Sequence, residues 1–421
     1  MDLKRLAGAL LLFSLFLMPA AAFADGFSVL EWSAAGVAMG EAYMFSENDP
    51  SILAYNPARM TKINGRMFSA GATYINPRGE TTFHGGPSNG QTWSNTEAPA
   101  YVPHLFYVDK INDKFTWGLG VFTRFGNSSQ FDENFPGKYD SYEAKITSMS
   151  AQPTIAWQAT PKLSLALGAD IMYMKLEAKK KLPTSILAMQ AGIPGIPDAD
   201  FGLEGDGWGY GWNIGLNYDF NDRTSFAAVY RSKVDMELKG DADLTFPGVS
   251  TGGGGEVTLP DSVTVGIGHK FNDRTRIEFG ATYTRWSTYD NLTINFDSSI
   301  LPAPFPPTMQ TVSIKDWKDV WRYQIGVEHQ MNERWSIMFG YAYDNNPMPD
   351  QYMDYMVPTG DRQTASFGFK YRNNNSEWVL GYGYMWISDR TINGHGYDFV
   401  YSDTLGNDAH IISLSYNLRL K

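Results

Sequence analysis

The sequence predicts an all-β protein: a 14-stranded antiparallel transmembrane β-barrel plugged by an N-terminal hatch. Three observations carry that expectation. An export leader opens the chain, long stretches alternate apolar and polar side chains, and the ends of those stretches are rich in Trp and Tyr. A soluble β-sandwich also alternates, burying its apolar faces between two sheets. Its strands usually run to about five or six residues, however, and the stretches here reach ten or more. Aromatic girdles at strand ends belong to membrane interfaces.

The leader comes first. Lys4 and Arg5 precede an apolar run from Leu6 to Met18, Pro19 breaks it, and Ala22-Phe23-Ala24 fits a small-x-small cleavage site. That is a secretory signal peptide, too short to span a bilayer as a helix. The expected division is 1–24 signal peptide, 25–65 hatch and 66–421 barrel. Export of a barrel places it in the outer membrane of a Gram-negative cell.

Composition excludes several classes. The 421 residues include 45 acids and 34 bases, a formal net charge of −11, so no basic excess exists to track a nucleic-acid backbone. There is no Cys, hence no disulfide framework and no thiolate chemistry. Mean hydropathy is −0.31, too polar for a bundle of membrane helices.

The strands show a period of two. Trp212, Ile214, Leu216, Tyr218 and Phe220 share a face opposite Asn213, Gly215, Asn217 and Asp219. Phe115, Trp117, Leu119, Val121 and Phe125 oppose Thr116, Gly118, Gly120 and Arg124. Trp335, Ile337, Phe339, Tyr341 and Tyr343 repeat the pattern, and the chain ends with His410 to Leu420 alternating against Ser413, Ser415 and Asn417. From Phe226 to Leu238 the even positions are largely apolar, and the odd face carries Arg231, Lys233, Asp235 and Glu237. Short polar turns fall at 111–114, 160–162, 221–223, 272–274, 332–334 and 372–375, rich in Asn and Asp, which tolerate left-handed backbone. Six turns separating seven hairpins give the 14 strands. Short turns face the periplasm, so the longer connections at 179–209, 240–261 and 297–315 face outward. Gly252 to Gly255 reads as loop flexibility. Ile186 to Ile196 is apolar for an external loop, which fits either a packed loop or a capture surface.

Fourteen strands enclose a sizeable lumen. Residues 25–65 do not alternate, and are either a periplasmic tail or a plug. Their apolar content argues against disorder. Asn56 is the residue expected to hold such a plug, since its amide can bond several partners. Pro57 fixes the backbone beside it, and Asp344, at an inner-face position, is a candidate partner.

These residues resemble a known family, the FadL/TodX-type outer-membrane transporters of long-chain fatty acids. The marks are Gly26-Phe27, Asn56-Pro57-Ala58, Phe68 to Gly71, Val102-Pro103, Trp208 to Trp212, Lys318-Asp319 with Arg322, and Asp344 with Pro347 and Pro349. The resemblance covers nearly the whole mature chain. It implies a monomeric barrel with an N-terminal hatch and an inward kink in the third strand. Hydrophobic substrate leaves sideways through that kink into the membrane. The matching lateral gate is Thr123, Arg124, Phe125 and Gly126, with Ala100 beside it; an ordinary strand end is the alternative. Lys318 is the expected carboxylate contact by resemblance, with Lys179 and Lys180 at the apolar loop as further candidates. The expected partners are a hydrophobic small molecule, outer-membrane lipid and lipopolysaccharide. Aromatic hydrocarbons are the second substrate class, and a general porin is the other transport reading. The chain departs from the usual aromatic C-terminal residue, ending Leu420-Lys421.

No catalytic arrangement stands out. The six His show no metal-ligand spacing, and His269, His329 and His410 lie on apolar strand faces. The expectation is a transporter with no enzymatic activity, cofactor or metal.

Overall fold

The computed structural model describes residues 26–190, 192, 195–246, 248–301, 305–393 and 402–420. The leader with its cleavage site, Asp25, His395, Lys421 and part of the apolar loop lie outside the described residues.

Fourteen strand positions close into one antiparallel ring. They are β1 (Arg66–His84), β2 (Ala100–Lys110), β3 (Phe115–Phe122 and Gly126–Gln130), β4 (Glu143–Gln158), β5 (Leu163–Leu182), β6 (Ala199–Asp219) and β7 (Thr224–Arg231 and Val234–Leu244). Next come β8 (Val249–Leu259 and Ser262–Asn272), β9 (Thr275–Thr284 and Asn291–Phe296), β10 (Gln310–Ile314 and Val320–Gln330), β11 (Trp335–Asp344), β12 (Arg362–Asn373), β13 (Ser376–Asn393) and β14 (Ser402–Leu420). β14 pairs with β1 from Arg66 opposite Leu420 to His84 opposite Ser402, which closes the sheet. The six short turns fall between strands as the Asn and Asp residues anticipate. In four of them an Asn side chain caps the turn: Asn112, Asn221, Asn272 and Asn332 each accept the backbone N–H groups two and three residues on.

A strand needs about 9–11 residues to cross a bilayer. β5 has 20 and β6 has 21, so each continues well beyond the hydrocarbon layer. The side-chain pattern inverts along the way. In the lower part of β5, Leu167 and Ile171 face out and are exposed, while Ser164 and Asp170 face in and are buried. Above, Lys175, Glu177 and Lys179 face out, and Met172, Met174 and Leu176 are buried inside. The membrane section is thus apolar outside and polar inside, and the outer section is the reverse.

The inversion corrects several sequence readings. Residues 226–238 are not one uninterrupted alternation. Arg231 points inward, the pairing with β6 slips by one residue at Ser232-Lys233, and Val234, Met236 and Leu238 then point inward. A bulge of this kind re-aims every side chain beyond it. Strand extends into both ends of the connection at 179–209 and makes up most of 240–261, and Gly252 to Gly255 sit within β8, paired with Lys239 to Asp241 and Leu238 of β7, not in a flexible loop. Phe125 is not on the lipid face either: β3 breaks after Phe122, and the ring of Phe125 is buried inside.

Placing the bilayer boundary at this inversion has a direct test. Leu167→Arg should cost about 2–4 kcal/mol of folding stability in lipid vesicles, whereas Glu237→Arg, on the outward face above the membrane, should change it by less than about 1 kcal/mol. Urea unfolding measures both, and equal losses would contradict the boundary.

Candidate functional site

Three features meet inside the ring: the N-terminal segment, an apolar pocket and a break in the wall. Residues 26–65 are almost wholly buried. Their first helix, α1 (Ala34–Ala38), is capped by Ser33, whose Oγ accepts the Gly36 N–H at 3.1 Å. The Ala34 N–H donates to Ser415 Oγ of β14 at 3.0 Å. The chain then turns through Gly40 at φ +58° against β11 so closely that a Cβ on Gly340 would lie 2.1 Å from Gly40 N. Only glycine fits both positions. A second helix, α2 (Ile52–Tyr55), and a 3₁₀ turn (Pro57–Lys62) cross to the opposite wall. There Pro57 packs over Gly215 of β6, and Ala58 is fully buried. Arg59 pairs with Asp219 at 2.7 Å and Glu47 at 2.6 Å.

Asn56 is buried in this segment, and its amide donates to the Met44 carbonyl at 2.9 Å and to Asn217 Oδ1 at 3.2 Å. The expected partner, Asp344, is elsewhere: it pairs with Arg322 of β10 at 2.9 Å. Glu41 takes φ +66° in the same turn as Gly40 and accepts the Tyr55 hydroxyl at 2.7 Å. Burial, with Glu31 adding to it, pushes the Glu41 carboxyl well above its ordinary range.

The pocket occupies the outer section. It is a narrow cleft, nearly filled by its own side chains, and is lined by Phe27, Met174, Leu176, Leu238, Tyr289 and Trp317 among others. The interruptions of β9 and β10 build its aromatic end, turning Trp286, Tyr289, Lys315 and Trp317 inward. Phe27 enters this cluster with ring centroids 4.7 Å from Trp286 and 5.7 Å from Trp317. Gly26, at φ +52°, lies against the same two indoles, where a Cβ would meet Trp317 at 2.6 Å. The polar end of the pocket is Lys315, paired with Asp354.

This corrects the choice of cation. Lys318 is exposed, its backbone N–H bonded to the Pro347 carbonyl at 2.8 Å, and it does not line the pocket. Lys315, three residues earlier, is the buried one. Lys179 faces outward and pairs with Glu143 at 3.0 Å. Lys180 is partly buried beside the pocket, close enough to feel Asp140, Lys315 and Asp354. In the apolar loop a third helix, α3 (Thr184–Gln190), exposes Ile186, Leu187 and Met189 while burying Ala188.

The break lies between β2 and β3. Their ladder runs from Lys110–Thr116 only to Leu105–Val121. Beyond it Ala100 to His104 pair with β1 but not with β3. Contact resumes where the Thr96 N–H reaches the Gln130 carbonyl at 2.7 Å. Thr123, Arg124 and Phe125 turn inward at the break. Thr123 Oγ1 donates to the Ser148 carbonyl at 2.9 Å, and the Arg124 guanidinium pairs with Asp170. The backbone exposed by the break is satisfied from within. The Val29 N–H donates to the Arg124 carbonyl at 2.8 Å, the Gly126 N–H donates to the Phe27 carbonyl at 3.0 Å, and Ser28 bridges Phe125. Ser148 Oγ accepts the Phe125 N–H at 3.2 Å and donates to its carbonyl at 2.6 Å. Gly126 is not required by the bend itself, since a Cβ there would meet nothing nearer than Val29 at 3.4 Å. His104 is buried at the edge of the break and bonded to Ser415 Oγ at 2.9 Å.

Comparisons with known proteins bear on the whole of this arrangement. Residues 15–420 match the family model described as outer membrane protein transport protein (OMPP1/FadL/TodX). A long-chain fatty acid transport protein of Escherichia coli is 27% identical over 401 residues, covering 86% of this chain and 87% of that protein. Outer membrane protein P1 of Haemophilus influenzae is 25% identical, covering 91% and 90%. Among solved structures, a Pseudomonas aeruginosa FadL homologue superposes with a TM-score of 0.82 at 21% identity, covering 94% of this chain and all of that one. The Pseudomonas putida toluene transporter TodX gives 0.70 at 18%, covering 94% and 99%.

The close approach at Gly340 can be tested alone. Gly340→Val should displace residues 39–41 from the wall and make the segment 26–65 cleavable by limited proteolysis, while the barrel keeps its heat-modifiable mobility. Unchanged protease resistance would show that the contact does not hold the segment.

Proposed function

The chain belongs to the OMPP1/FadL/TodX family of outer-membrane transport proteins, and from that premise we propose that it conducts long-chain fatty acids across the outer membrane and releases them sideways into it. The observation that carries this reading is the apolar pocket standing directly behind a break in the wall, with Phe27 and Ile146 between them. Hydrophobic ligands bind in mostly apolar pockets with few polar groups, and this one has that lining.

In this reading residues 26–65 are the hatch. Ligand enters from the outer face, past the exposed apolar helix α3, and occupies the pocket in the outer section. Phe27 then withdraws, carrying Ser28 and Val29 away from Arg124 to Gly126, and the path to the break opens. Lateral release follows from solubility. A fatty acid leaving along the axis would pass from an apolar site to water at about 0.8 kcal/mol for each CH₂ exposed, more than about 10 kcal/mol for a chain of some sixteen carbons. Release into lipid avoids that loss.

A second reading has specific support: the toluene transporters share the fold, and the ring cluster of Phe27, Trp286, Tyr289 and Trp317 suits an aromatic ligand. A general porin fits less well, because the polar lumen of the membrane section is filled by buried residues 34–62.

Labelled oleate and toluene uptake by cells separates these readings. Oleate should enter and toluene should not exceed the background of cells lacking the protein; the opposite result would make aromatic hydrocarbons the substrate. Gly126→Trp, which drives a large ring toward Val29, and Ala100→Trp across the break should each abolish uptake with normal surface expression. Gly126→Ala should not. Normal uptake by both Trp variants would contradict lateral exit here. Deleting residues 26–65 should raise single-channel conductance, and no change would exclude the hatch.

A further inference from the structure

The polar end of the pocket contains a counter-charge as well as a cation. Lys315 and Asp354 are both buried, line the pocket and form an ion pair. Asp354 is not free to swing away. Its Oδ1 accepts the Met356 N–H at 3.0 Å and the Val357 N–H at 3.2 Å, which leaves Oδ2 fixed on Lys315. Lys315 has three N–H donors, and its contacts are the carboxylate and the Met356 sulfur at 3.9 Å. A further acceptor can therefore reach the ammonium, but it arrives beside a carboxylate already in place. The other charges acting on the pair are Lys180 and Asp140, one of each sign, and Asp140 is itself held by the Tyr355 N–H at 2.8 Å.

We propose that Asp354 is a specificity-determining residue that neutralises Lys315, so that the pocket prefers a long-chain molecule with an uncharged hydrogen-bond-accepting head, such as a hydroxyl or an ester carbonyl, over a free carboxylate. A hydroxyl oxygen accepts from the unused Lys315 donors without meeting like charge. A carboxylate gains the same bonds but stands against Asp354 in a dry site, where like charges brought together cost several kcal/mol. This rests on the transport reading and narrows it: ionised fatty acids remain ligands of the pocket, and long-chain molecules with a neutral head bind it at least as well.

Equilibrium dialysis of the detergent-free protein in amphipol, against tritiated oleate or tritiated oleyl alcohol at about pH 8, where the acid head is ionised, tests the proposal. The wild-type chain should bind the alcohol at least as tightly as oleate. Asp354→Asn keeps an oxygen for the Met356 and Val357 N–H groups and removes the charge; it should strengthen oleate binding about tenfold and leave the alcohol within about threefold. Adding Lys315→Met to that variant should cancel the gain. Wild-type protein that binds oleate more tightly than the alcohol overturns the proposal and leaves the transport reading standing. So does an Asp354→Asn variant whose oleate affinity falls or stays the same. Binding of neither ligand overturns both. If Asp354→Asn does not fold, the wild-type comparison decides alone.

Discussion

Every backbone N–H and C=O in a bilayer must find a partner in the protein, because lipid offers none. That constraint forces the sheet to close on itself, and β14 meets β1 over the full length of both strands. It also makes the incomplete ladder between β2 and β3 informative. Between β2 and β3 the pairing stops at Leu105–Val121, and the polar groups of Arg124, Phe125 and Gly126 are taken up by Val29, Phe27 and Ser148. At this break the N-terminal segment supplies the missing backbone partners.

The second organising feature is the inversion of side-chain polarity along the strands. Ten residues suffice to cross the membrane, and the rest of β5 and β6 stands in water. A barrel in water behaves as a soluble one, with an apolar interior and a charged exterior. The pocket is therefore a consequence of strand length: Met172, Met174 and Leu176 continue the inner face that Ser164 and Asp170 begin lower down. Bulges at Ser232-Lys233 and the breaks in β9 and β10 then choose which residues close it.

Much of this was legible in the sequence, and the rest was hidden for physical reasons. Period-two alternation and Asn-rich turns follow from local geometry, so strand number and order could be read directly. The outer halves of β5 to β8 were harder, because their glycines and reversed pattern look like loop. Phe125 was misplaced because a strand break cannot be seen in alternation that continues by chance across it. Asn56 was expected from sequence to be an anchor, but its side-chain partner Asn217 lies 161 positions away on another strand, a pairing fixed by the ring. Lys315 and Lys318 differ by one odd step; only the turn at Asp316, with φ +44°, decides which of them points inward. No pattern in the chain distinguishes His104, whose burial depends on Ser415 at the far end of the sequence.

The central claim is that the N-terminal segment must leave the break for substrate to pass. The chain contains no Cys, so a pair of cysteines at the bridged positions, Ser28→Cys with Phe125→Cys, would report on that movement without competing thiols. Fatty-acid uptake should stop when this disulfide is formed and return on reduction, with each single variant remaining active. Undiminished uptake by the fully oxidised double variant would contradict the account.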